Sequence, residues 1–130
     1  MLKPTLALIP LFLLVSALAA QPQPQLDLMP MPQSVRLGSG QLVITQAFSV
    51  GITGNKEARL QAAAGRFLQR LSRQTGMPLN IRPSDGAGTT LVIAAEHGSK
   101  EYPELGEDES YDLQVTASGA RITAPTTWGA

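Results

Sequence analysis

The sequence contains no cysteine and one histidine, His97. Without cysteine no disulfide can form, even in an oxidising compartment that would permit one. A lipid anchor carried on cysteine is excluded for the same reason. A zinc centre normally takes several histidine or cysteine ligands, so no metal site is expected and His97 reads as a loop residue. Aromatic residues make up only 5% of the 130, and charged residues 15%. The 10 cations balance the 10 anions, and nothing in that balance suggests nucleic acid as a partner. No hydrophobic run reaches the roughly 20 residues that a membrane span needs.

What is present begins with an apolar run at residues 6–18, LALIPLFLLVSAL, behind the lone cation Lys3. Pro10 interrupts it, and Ala17-Leu18-Ala19 fits the small-x-small pattern of signal cleavage. Residues 1–20 are therefore expected to be a signal peptide, cut after Ala19 or Ala20. That makes the mature protein periplasmic or secreted and leaves no membrane segment after cleavage. Loss of Lys3 shifts the formal charge to near −1. The remaining chain of roughly 110 residues suffices for one small domain with a single core.

Residues 21–33 open with QPQPQLDLMPMP. Proline fixes φ and removes a donor, so this stretch is expected to be an extended leader outside any sheet. A hairpin is expected next, residues 34–37 pairing with 41–45 across Gly38-Ser39-Gly40. Phe48, Val50 and Ile52 then alternate with Ser49 and Gly51, as in a half-buried strand. Asn55 is a good N-cap, and a helix is expected over residues 56–75. Its Leu60, Ala64, Phe67, Leu68 and Leu71 fall on one stripe. Gly76 suits the left-handed C′ position and Pro78 stops continuation.

Residues 79–82 suggest a short strand, and the apolar run TTLVIAA at 89–95 suggests a strand covered on both faces. Strand, helix, strand in that order implies a right-handed parallel crossover. A polar loop at 96–110 leads to a hairpin, with Tyr111, Leu113 and Val115 alternating before the Ala117-Ser118-Gly119 turn into 121–124. The fold class expected is α+β, a mixed β-sheet with one long helix packed on it. One helix cannot cover five or six strands. A second covering helix is therefore expected beyond the C-terminus, where Trp128 has just begun a new element.

Two stretches carry a resemblance. LMPMPQSVRLGSGQLVI at 28–44 resembles the opening of bacterial β-N-acetylhexosaminidases of glycoside hydrolase family twenty. ESYDLQVTASGARITAPTTWGA at 109–130 resembles the end of the same non-catalytic N-terminal domain. The resemblance implies that residues 34–130 are such a domain, that the chain is a fragment, and that a catalytic (β/α)8 barrel of the same protein is its partner. The barrel would remove terminal N-acetylhexosamine, so an amino-sugar glycan is met only through it. An adjacent Asp-Glu pair in the barrel would act, the Glu protonating the leaving oxygen and the Asp orienting the substrate's acetamido group. No catalytic, cofactor-binding or metal residue is expected in this chain. Two alternatives stay open: a stand-alone exported carbohydrate-binding module, or the equivalent accessory domain of another glycosidase family. The module reading has little aromatic material, since Phe48 and Phe67 are assigned to the core, leaving Tyr102, Tyr111 and Trp128.

Gly106-Glu107-Asp108-Glu109 resembles the family's Gly-Asp-Glu signature, but three adjacent acids in a polar loop should be solvated. Arg59, Arg66, Arg70 and Arg73 share one helix face, read as a solvated face or as a docking site for acidic surface. Gly38, Gly40, Gly86 and Gly88 do not follow a phosphate-loop pattern and read as turns. Trp128 reads as an anchor at a domain junction. In the longer enzyme, Asp108→Asn should leave glycosidase turnover intact; loss of turnover without unfolding would contradict the loop reading.

Overall fold

A computed structural model describes residues 26–29, 31–86 and 88–130. The expected signal peptide and residues 21–25 of the leader lie outside the described residues. The chain divides into two units, residues 1–36 and 37–130. The described part of the first carries no helix or strand.

The second unit runs β1 (Val50–Gly54), α1 (Ala58–Thr75), β2 (Ser84–Asp85), β3 (Leu91–His97), β4 (Asp112–Thr116) and β5 (Gly119–Thr126). The five strands form one sheet in the order β2-β1-β3-β5-β4. β2 and β3 flank β1 in parallel, β5 continues in parallel beside β3, and β4 returns antiparallel to β5. This is the mixed sheet with one helix that the sequence implies.

Paired residues on neighbouring strands share a face of a sheet. Val50 and Ile52 of β1 stand opposite Leu91 and Ile93 of β3, which stand opposite Ala120 and Ile122 of β5. On that face α1 lays Leu60, Ala64 and Leu68, spaced four residues apart so that they project on one side. Leu68 is wholly buried. Each fully buried leucine contributes about 1.5–3 kcal/mol of apolar transfer. Gly76 ends the helix at φ 70°, a left-handed conformation that only glycine adopts without strain. Arg73 in the last turn faces the negative end of the helix dipole.

Several expected elements differ. Neither strand of the 34–45 hairpin forms. Its apolar residues Val35, Leu37, Val43 and Ile44 remain exposed, and an isolated two-stranded hairpin is only marginally stable in water. The helix starts at Ala58 rather than at residue 56. The Asn55 N–H instead donates to the Ala95 carbonyl (2.7 Å) and holds Asn55 to the sheet. Glu57 takes the cap position without a side-chain cap bond.

Residues 79–82 form no strand. Leu79 enters the core, but the Asn80 side chain accepts the Arg82 N–H (3.1 Å), a local bond that competes with a ladder. The pairing moves downstream to Ser84 and Asp85. β3 starts at Leu91, two residues later than expected, and is buried on one face only: Leu91, Ile93 and Ala95 are inside, Val92 and Ala94 half-buried. It runs on to His97, which pairs with Thr126 as a strand residue and not a loop residue. Phe67 lies at the core's edge, 41% exposed, its ring centroid 6.3 Å from that of buried Phe48.

These placements give a test by denaturant unfolding. Leu68→Ala should cost about 2–5 kcal/mol, and Phe67→Ala less, because its ring is already partly in water. Equal losses would contradict the placement of the stripe.

Candidate functional site

Three chain segments meet at the start of α1: residues 57–59, the loop leaving β3, and the segment leaving β5. The Glu57 carboxylate joins them. Its Oε1 accepts the Ser99 N–H at 3.0 Å. Its Oε2 lies 2.9 Å from the Thr127 hydroxyl and 2.8 Å from Arg59 Nε. Thr127 is buried, and its hydroxyl is also 2.9 Å from Ser99 Oγ. With one proton to give, Thr127 donates to the carboxylate, the stronger acceptor, and accepts from Ser99. Ser99 Oγ in turn accepts the Trp128 N–H at 3.0 Å. Gly98 is needed beside this cluster, because a Cβ there would run into Glu57 Oε1.

Arg59 closes the cluster. Its guanidinium donates to the carbonyls of Glu101 (3.4 Å) and Ser99 (3.5 Å) and sits 4.6 Å from the centroid of the Trp128 ring. That is cation–π range. The Trp128 indole N–H is buried without an acceptor among the described residues. Residues 127–129 form a turn.

Beside the cluster an open groove of ≈ 510 Å³ runs between α1 and the segment after β5. Leu60, Ala63 and Arg66 line it from the helix, and Trp128 and Ala130 from the other side. Beyond it, β4 presents Leu113 and Val115 on the helix-side face, opposite Ile122 and Ala120. Both are half exposed, as is Tyr111 next to β4.

The arginine stripe divides. Arg59 is half-buried and does meet the 96–110 loop, through carbonyl oxygens rather than acidic side chains. Arg66, Arg70 and Arg73 are exposed and form no ion pair among the described residues. Asp108 and Glu109 are exposed, whereas Glu107 is half-buried. Hydrogen bonds from Ser110 hold the Asp108 carboxyl below the usual aspartate range, opposite in direction to the shift a general acid needs. One face of Trp128 is taken by Arg59, which leaves less of a platform for a sugar ring. Glu57, Gly98 and Ser99 carry no sequence motif, and only their meeting in space with Thr127 reveals the cluster.

A family model described as beta-acetyl hexosaminidase like matches residues 28–130. The chain belongs to that family. A solved structure, the chitobiase of Flavobacterium johnsoniae, a glycoside hydrolase family twenty protein, is similar at 34% identity with a TM-score of 0.72. The likeness covers 78% of this chain and 16% of the chitobiase. No curated protein sequence matches. Together these mark the chain as an N-terminal, non-catalytic domain of a family-twenty protein. The APTTWGA stretch that carries the resemblance at residues 124–130 is the one that the Glu57 cluster holds.

Replacing Glu57 tests the cluster. Glu57→Ala strips acceptors from Ser99, Thr127 and Arg59 and should destabilise the domain by about 1–3 kcal/mol. Glu57→Gln, which keeps a carbonyl, should cost less. Thermal unfolding indistinguishable from the parent in Glu57→Ala would contradict the role given to the cluster.

Proposed function

We propose that this chain is the non-catalytic N-terminal domain of an exported β-N-acetylhexosaminidase and that it is part of a longer polypeptide. A (β/α)8 barrel elsewhere in that polypeptide would hydrolyse terminal non-reducing N-acetyl-D-hexosamine residues from β-N-acetylhexosaminides. The domain's own task is structural: it buttresses the barrel and helps it fold. The observation that carries this reading is the likeness to the chitobiase, which takes in most of this chain but only 16% of that protein. A domain-sized match of this kind fits an accessory part of a larger enzyme.

Export is supported by the apolar run at 6–18 and the Ala17-Leu18-Ala19 pattern. The acidic stretch 107–109 is read as a surface loop, since Asp108 and Glu109 are exposed. A catalytic carboxylate pair needs burial to tune it.

The test is turnover of a chromogenic N-acetylglucosaminide. The purified 130-residue chain should give none, and the longer protein should cleave it. Hydrolysis by the contaminant-free 130-residue chain would overturn the reading.

A further inference from the structure

We infer that residues 98–110 form a strap closed by residues 126–129, and that strap and exit segment open together as one unit while the core stays folded. Apolar burial does not hold the strap. Within it only Ser99 and Glu107 are not exposed, and Tyr102 and Leu105 stand out in water. Its internal bonds are local: the Glu107 N–H donates to the Glu104 carbonyl, Lys100 pairs with Glu104, and the Ser110 N–H donates to the Asp108 carboxylate. Among the described residues, the hydrogen bonds that tie the strap to the rest of the domain end on residues 57–59 or on 126–128.

The exit segment grips the strap at both ends. At the first, the Thr127 hydroxyl and the Trp128 N–H both meet Ser99 Oγ. At the second, the Thr126 hydroxyl donates to the Asp108 carbonyl (2.6 Å) and accepts the Gly129 N–H (3.3 Å). Gly129 lies so close to the Ser110 carbonyl that a Cβ there would overlap it. A segment with few buried apolar contacts opens at low free energy, separately from the core. The core itself is made without the strap, by Leu60, Ala64 and Leu68 against Val50, Ile52, Leu91 and Ile93. Movement of residues 126–129 is thereby passed to a surface that carries Tyr102 and Leu105.

The experiment is limited trypsin digestion of the folded 130-residue chain, with cleavage after Lys100 in the strap and after Arg66 in α1 followed by mass spectrometry. Thr126→Val removes the grip at Asp108 and leaves the one beside Lys100 in place. Cleavage after Lys100 should nevertheless run about fivefold faster, the change in open population that losing one net hydrogen bond brings. Cleavage after Arg66 should not change. Thr123→Val, the same substitution at an exposed position of β5, should alter neither rate. An unchanged rate at Lys100 in folded Thr126→Val overturns the strap, and so does equal acceleration at Lys100 and Arg66. Amide exchange in the unmutated chain gives a second reading. The Ser99 and Trp128 amides should share one opening free energy, lower than that of Leu68. A Trp128 amide protected as long as that of Leu68 overturns the inference whatever the variants do.

Discussion

A helix about 10 Å across spans about two strands set about 4.8 Å apart, and the sheet here has five. That mismatch of widths governs the rest of the structure. α1 spends its apolar stripe on β1 and β3, where Leu60, Ala64 and Leu68 meet Val50, Ile52, Leu91 and Ile93 in a closed core. β5 is half covered and β4 is bare on the same side, so Ile122 is partly buried while Leu113 and Val115 face solvent. The core is complete where the helix lies and open where it does not.

The polar cluster sits where cover gives out. Glu57 is drawn away from capping α1 and bound to Ser99, Thr127 and Arg59, which pins the segment after β5 to the start of the helix. The same arginine stacks on Trp128. Charge-assisted bonds of this kind are directional, unlike apolar contacts. Residues 127–130 consequently leave the sheet along a defined path beside the groove.

Much of this was legible in the sequence because it rests on short-range periodicity. The stripe of α1 and the alternation at 111–115 follow from helical and two-residue spacings, and the stop at Gly76 from the freedom of glycine to turn left-handed. Where the sequence misleads, a local signal is overruled by something distant. Asn55 is a good cap by type but is held by Ala95 across the sheet. The 34–45 segment has a glycine-rich turn suited to a hairpin, yet neither flanking strand forms. Phe67 fits the apolar stripe but stays partly in water at the edge of the core, beside Phe48. The Glu57 cluster was invisible because its partners are 42 and 70 residues away.

The reading that this is one domain of a longer exported enzyme is our proposal. Reading the coding DNA past the Ala130 codon tests it most directly. The frame should stay open and continue into a covering helix and then a barrel carrying an adjacent Asp-Glu pair. A stop codon directly after Ala130 would contradict it and would leave a free exported domain, with sugar binding the reading to pursue.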